Sequence, residues 1–188
     1  MRAVSLIKTK KILPGMLSLL ALMGLLGGCA VHEVQRGAAL DTHARWALLP
    51  IMNHAETPQA GERAQAILAT LLRIRGVVDA QEYAAHQKTE GEAEGLPELD
   101  ERRRFDEALD WAKGHGMTYG VTGSVEEWRY KSGTDGEPAA GVSLQVVDIA
   151  SGRVLWSATG ARTGWGRESV SGTAQKLLKD LLRDLPLK

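Results

Sequence analysis

The first 29 residues decide where this chain folds and how much of it is left to fold. Arg2, Lys8, Lys10 and Lys11 supply four cations and no acid precedes residue 29, while a largely apolar run from Ile12 to Leu26 closes in Leu26-Gly27-Gly28-Cys29. A basic segment, a hydrophobic segment and a small-residue cleavage site in that order make a secretory signal. A bilayer-spanning helix usually needs ~20 apolar residues; this run is shorter and carries Pro14 and Gly15 near its start, so a retained anchor helix is not expected. Cleavage before Cys29 also changes the electrostatics. The whole chain of 188 residues balances 23 bases with 23 acids, but the 160 residues that follow the signal hold 19 bases against 23 acids, a net charge near −4. That balance excludes a strong field for nucleic acid. With 44% hydrophobic and 24% charged residues, the remainder can bury one ordinary core without metals or disulfides.

Cys29 is the one cysteine of the chain, which excludes an intramolecular disulfide and a thiolate metal cluster. Leu-Gly-Gly-Cys resembles the bacterial lipobox, in which the thiol is acylated and the cysteine becomes the new N-terminus. Unmodified, Cys29 would be a free thiol in an oxidising compartment. Each buried methylene contributes ~0.8 kcal/mol and a single acyl chain holds only marginally, so a multiply acylated Cys29 would keep the domain on its membrane. Ala30, where an aspartate would signal inner-membrane retention, implies the outer membrane by resemblance to bacterial sorting rules. The chain therefore divides into a signal peptide (1–28), a tether (29–43) without clear periodicity, and a single domain (44–188). Cys29 to Ala44 would reach at most ~55 Å fully extended.

Within the domain, Arg45 to Ile51 is a short apolar run that predicts a buried strand. Thr57-Pro58 offers an N-cap followed by proline at the first helical position, and Ala60, Ala64, Ile67, Leu68, Leu71 and Leu72 recur at helical spacing. Arg73 and Arg75 fall in the last turn, with Gly76 placed as the left-handed C′ residue. Val77-Val78 is a brief second strand candidate. Six acids and no base lie between Glu90 and Glu101, predicting a solvated loop that runs into a helix striped by Phe105, Ala108, Leu109 and Ala112. Glu98 to Arg102 and Asp100 to Arg104 are the expected four-apart pairs. Tyr119 to Trp128, Val142 to Val146 and Val154 to Ala158 read as three antiparallel strands, the second pair joined by a tight turn at Asp148 to Gly152. Val170 to Leu185 draws a last helical stripe that Pro186 ends. The fold class is α/β, a single mixed sheet flanked by helices in the order β-α-(β)-α-β-β-β-α.

Catalytic patterns are missing from this sequence. The five histidines have no i, i+4 pair for a helical metal site, and neither a nucleophile elbow, a P-loop nor a dinucleotide fingerprint occurs. Glu126-Glu127 could be proposed as paired carboxylates, but alternation along a strand sends neighbours to opposite faces, and they would not flank one bond. The reading is a protein with no cofactor and no metal that is not an enzyme.

Three segments carry a family resemblance: Trp46 to Asn53 with Glu56 to Ala64; Tyr119 to Val125; and Val142 to Asp148 with Ser151 to Trp156. Behind a lipobox, this pattern resembles the periplasmic lipoproteins that share the fold of the TolB N-terminal domain, the curli secretion lipoprotein and the penicillin-binding-protein activators. Within that group the length, the single domain and the loop Gly164-Trp165-Gly166-Arg167-Glu168 are most similar to the PelC-like lipoproteins of Pel exopolysaccharide export. The resemblance implies a ring, dodecameric in its described members, on the periplasmic face of the outer membrane beneath a β-barrel exporter, passing a cationic polysaccharide for the biofilm matrix through an acidic mouth. It also implies a loop tryptophan dipping into the bilayer. Trp165, which belongs to no apolar stripe, is the matching residue here, with Arg162 and Arg167 beside it for anionic headgroups. Candidate polymer-facing acids are Asp148, Glu98, Asp100 and Glu101, although the favoured role of Asp148 is to cap its own turn. The same fold also supports a second function, a lipoprotein that activates a peptidoglycan synthase by protein contact.

Overall fold

The computed structural model describes residues 30–35, 37–83, 97–132 and 136–188; Cys29 lies outside them. Six strands, β1 (Ala30–Gln35), β2 (Trp46–Asn53), β3 (Ala80–Glu82), β4 (Tyr119–Tyr130), β5 (Pro138–Asp148) and β6 (Val154–Thr163), form one mixed sheet in the order β1-β6-β5-β4-β2-β3. β4, β5, β6 and β1 are antiparallel neighbours, whereas β2 runs parallel to both β4 and β3. The order expected after residue 44 is found, with each of the three antiparallel strands longer than its apolar run. Pro50 sits within β2 where the pairing with β4 shifts register between Leu48 and Ile51; the irregularity accommodates a residue with no N–H to give the ladder. Its carbonyl is taken by the Thr122 hydroxyl at 2.8 Å.

Helices α1 (Ala60–Ile74) and α3 (Val170–Arg183) pack side by side on one face, and α2 (Pro97–Gly114) covers β2 on the other. The main core lies under α1 and α3: Val121, Val125, Val142, Leu144, Val146, Trp156 and Ala158 meet Leu68, Leu72, Leu177, Leu178, Leu181 and Leu182. Trp46 and Trp156 are fully buried in it. A smaller core beneath α2 joins Ala47, Leu49, Ala108, Ala112, Met117 and Ile149, with Phe105 and Leu109 partly buried against it. Period-two alternation then leaves the second face of β4, β5, β6 and β1 in cross-strand rows: Thr122, Gln145, Ser157 and Gln35; Ser124, Ser143, Thr159 and Glu33; Glu127, Gly141, Ala161 and Val31.

Three local expectations are corrected, and the Glu98–Arg102 pair lies outside the described residues. α1 does not start at Thr57-Pro58, because the Thr57 hydroxyl donates to the Trp128 carbonyl and Asn53 Nδ2 holds the Thr57 carbonyl at 2.9 Å. Those bonds pin the loop against β4, and the helix begins two residues later behind Gln59, whose backbone is left-handed (φ 60°) and gives no side-chain cap. The C-terminus is as expected, with Gly76 at φ 92°. The second strand is Ala80–Glu82, not Val77-Val78: Val77 is buried at the helix exit and Val78 is exposed. On α2, Arg103 lies 3.3 Å from Asp100 and Arg104 reaches Glu62 of α1 at 3.5 Å, a tertiary contact that helical spacing alone does not foresee.

The largest correction concerns the tether. Ala30 to Gln35 is a full edge strand, with Ala30 opposite Arg162 and Gln35 opposite Ser157. Further on, Leu40 is buried and pairs with Leu187, its N–H donating to the Pro186 carbonyl at 2.7 Å while Lys188 N–H returns to the Leu40 carbonyl at 3.0 Å. Hydrogen bonding to both β6 and the C-terminus gives this polar segment an order that its own hydrophobicity does not announce.

Gly61 shows how closely α1 is held. A Cβ there would press on the Ile51 carbonyl oxygen and lie 3.6 Å from the Asn53 Cβ. Alanine normally gains ~1 kcal/mol over glycine inside a helix, but overpacking against backbone costs ~1–3 kcal/mol. Gly61→Ala should therefore lower the urea midpoint at unchanged slope; a raised midpoint would mean that α1 stands further from β2 than described.

Candidate functional site

One end of the sheet gathers the features expected to meet a membrane. β4 ends there at Tyr130, β5 begins at Pro138, β6 ends at Thr163 and β1 begins at Ala30, next to Cys29. The loop from Gly164 to Ser169 that leads into α3 is tied down. Gly164 N–H donates to the Pro138 carbonyl at 2.8 Å, and Glu168 N–H donates to the Trp165 carbonyl at 2.8 Å. A Cβ on Gly164 would collide with the Thr173 hydroxyl and come within 3.0 Å of Pro138 Cγ, so only glycine fits. The Glu168 carboxylate accepts from Lys176 and from the Thr173 hydroxyl at 3.3 Å, and the Lys176 bond, foremost, holds its pKa below the ordinary carboxylate value. Ser169 caps α3, accepting from Gly172 N–H at 3.0 Å.

On this braced loop Trp165 is 57% exposed. Tyr130, which pattern reading did not single out, stands beside it at 53% exposure, its hydroxyl donating to the Glu168 carbonyl at 3.3 Å. The signal for it was present: Trp128 and Tyr130 alternate, and the second of them falls where the strand outruns the core. Arg167 and Lys131 are exposed and form no ion pair with a described residue. Arg162 differs. Its guanidinium lies 2.9 Å from Asp180, both side chains about a quarter exposed, so its charge fastens β6 to α3 rather than standing open to solvent.

The candidate acids are not brought together. Asp148 lies at the opposite end of the sheet, in a turn closed by Gly152 at φ 70°. Its carboxylate accepts from the Ser151 hydroxyl at 2.6 Å and the Ser151 N–H at 2.7 Å; these bonds hold its pKa below the ordinary 3.8. Glu101 accepts from Asn53 N–H at 3.3 Å and so closes the carboxyl end of β2, and Asp100 pairs with Arg103. Glu98 occupies the first turn of α2, and its side chain lies outside the described residues.

Glu126 and Glu127 require a correction. The β4–β5 register slips between Val125 and Glu127, so the expected alternation fails there: a Cβ on Gly141 would lie 3.4 Å from the Glu127 Cβ and 3.7 Å from that of Glu126. The bulge turns both side chains over the same glycine. Each has a local partner, Glu126 with the Ser124 hydroxyl at 2.5 Å and His54 at 3.3 Å, Glu127 with Arg129 at 3.0 Å. Among the described residues no three His, Cys, Asp or Glu side chains converge on a metal position, and no helix is long and apolar enough to cross a membrane.

Compared with solved structures, the chain is similar to a PelC dodecamer from Paraburkholderia phytofirmans at 36% identity, over 85% of this chain and 99% of that one, with a TM-score of 0.70. A variant of that dodecamer matches at the same identity and a TM-score of 0.71, over 85% and 100% of the two chains. Lipoprotein GNA1162 from Neisseria meningitidis shares the fold at 15% identity and a TM-score of 0.51, over 74% and 96%. No protein-family profile and no curated protein sequence matches.

The Asp148 hydrogen bonds give a pH dependence whose sign is fixed. A carboxylate with a lowered folded pKa stabilises fully above its unfolded value and loses that contribution as pH falls through the folded one. The melting-temperature gap between the parent and Asp148→Asn should be widest near neutral pH and shrink as pH falls below the ordinary carboxylate value of 3.8. A gap that does not change with pH would assign the carboxylate no role in the turn.

Proposed function

The chain belongs to the PelC family, and from that premise we propose that it is a non-catalytic lipoprotein of the outer membrane's periplasmic face, which assembles as a homo-oligomeric ring and assists export of a cationic exopolysaccharide. Cys29 is the acylated anchor. The observation that carries this reading is the register of β1, which sets Ala30 opposite Arg162 at the sheet end that presents Trp165. Lipid attached to Cys29 and an indole half immersed at the interface would then lie on the same side of the body. Tyr130 adds a second amphipathic ring, and Arg167 and Lys131 add cations suited to anionic headgroups. Arg162 contributes by fastening the sheet to α3.

A ring whose anchors share one side has its axis along the strands, so acids at different heights form separate bands. Glu98, Asp100 and Glu101 would lie beside the carboxyl end of β2, and Asp148 at the end furthest from the membrane. A polycation passing along the axis would meet these bands in turn. The exporter, on this reading a β-barrel, would sit on the membrane side. Activation of a peptidoglycan synthase is less suited to this chain, because pairing of β1 from Ala30 onward leaves almost no slack between the lipid and the body.

A domain lacking the lipid isolates the second contact. Burial of a large apolar side chain contributes about 1.5–3 kcal/mol, and roughly half of that is available to a half-exposed indole. Trp165→Ala should weaken partitioning onto anionic vesicles about 10-fold, with Trp165→Phe close to the parent. Equal partitioning of Trp165→Ala and the parent would remove Trp165 from the membrane.

A further inference from the structure

We propose that the flank of α2 beside β3 holds a sugar-binding site built on Trp111, with Tyr83 and His115 at its sides, which takes a pyranose ring of the exported polymer by its apolar face. This rests on the export reading above and adds to it a second mode of recognition, by ring rather than by charge. Glu107 and Trp111 are four residues apart on α2, and the His115 N–H donates to the Trp111 carbonyl at 3.0 Å, which carries the helical spacing one residue past Gly114. Tyr83, just beyond β3, closes on the same stripe. Its ring centroid lies 5.7 Å from that of Trp111 at 54°, and the His115 ring lies 5.0 Å from Trp111 at 38°. The cluster is braced from below and at both ends: Tyr83 and Trp111 pack against the core beneath α2, the Tyr83 hydroxyl donates to Glu107 at 3.3 Å, and the His115 carbonyl accepts from the Arg45 guanidinium.

Two features separate this cluster from an ordinary core edge. Trp46, Trp128 and Trp156 are buried at 2% exposure or less, whereas Trp111 and Tyr83 are only half-buried and His115 is exposed, so three neighbouring rings stay open to solvent. The charges around them are also largely taken up locally: Glu107 lies 3.9 Å from Arg103, which also meets Asp100; Asp110 lies 3.5 Å from Lys113; Arg45 lies 3.8 Å from Asp79; and Glu82 accepts from Gln65. Arg102 and Asp106 stand on the other flank of α2, in a cleft with Met52 and Phe105. What the site offers is therefore mainly ring surface. A pyranose carries bare C–H bonds on its faces and hydroxyls on its rim, so a face can cover an indole while the rim keeps its hydrogen bonds to water, to Glu107 and to the His115 ring. Such a site takes an acetylated sugar as well as a free amino sugar, whereas an acidic band discriminates by charge. Trp111 lies about 16 Å along the helix from Asp100, toward the end where β2 begins, so in the proposed orientation a polymer meets the rings before Asp100 and Glu101.

Equilibrium dialysis of the full-length protein in detergent micelles against a neutral N-acetylglucosamine pentamer, a glucosamine pentamer and pentalysine tests the site. The parent should bind all three, the neutral glycan independently of salt and the two cationic ligands more weakly as salt rises. Trp111→Leu keeps an apolar cover over the core but removes the ring face, and it should weaken both glycans about 5-fold while leaving pentalysine unchanged. Trp111→Phe should stay close to the parent. His115→Ala, at an exposed position, should give a smaller loss for the same two glycans at an unchanged melting temperature. Equal glycan binding by Trp111→Leu and the parent, or a loss of pentalysine alongside the glycans, would overturn the ring site. A parent that binds the two cationic ligands but ignores the neutral pentamer would also overturn it, with the export of a cationic polymer left standing. A parent that binds none of the three would overturn both.

Discussion

The pairing of β1 with β6 is the constraint on which the remaining geometry depends. Ala30 lies opposite Arg162, so the chain enters the sheet one residue after Cys29 and is laid along its edge for six residues. It then crosses to the far end, where Leu40 and the C-terminal Leu187 to Lys188 hold each other. With the lipid anchor proposed at Cys29, a flexible tether would leave the body free to rotate over the membrane. A strand would remove that freedom, because tilting the body away would break a ladder of backbone hydrogen bonds, each worth about 0.5–1.5 kcal/mol net.

From this constraint the roles of the two ends and two sides follow. The end where β1 begins presents Trp165 and Tyr130 on a loop stiffened by Gly164, Glu168 and the cap at Ser169, so the indole is held outward rather than collapsed onto the core. The other end carries the Asp148 turn and the clasp of the termini. Along the strands, the side under α1 and α3 takes nearly all the large apolar residues, while the other side of the same strands carries hydroxyls and acids.

Much of this was legible in the sequence, and the exceptions share a physical origin. Helical stripes such as Leu177, Leu178, Leu181 and Leu182 and alternating runs such as Val142, Leu144 and Val146 are local signals of burial, and both reappear in the core. β1 has no such signal: among the described side chains of Ala-Val-His-Glu-Val-Gln, Val34 is the one packed against the core, and the strand's partners lie more than a hundred residues away in sequence. The bulge at Glu126 is likewise set by pairing with Gly141, not by the residues around it. Arg162 and Arg104 illustrate the same limit for charges, since Asp180 and Glu62, which claim them, sit on other elements. Cys29 lies outside the described residues, and the proposal for it rests on the motif it closes.

The proposed orientation, with the Trp165 end of the sheet on lipid, is best measured by nitroxide labels on the protein recovered from membranes, with Cys29 blocked by the acylation proposed for it. Labels at Gly166→Cys and Ser151→Cys sit at opposite ends of the strands. Collision rates with oxygen and with a water-soluble nickel complex should place the first at the headgroup boundary and the second in bulk water. Both labels in water, or the Ser151 position nearer the bilayer, would contradict the proposed orientation.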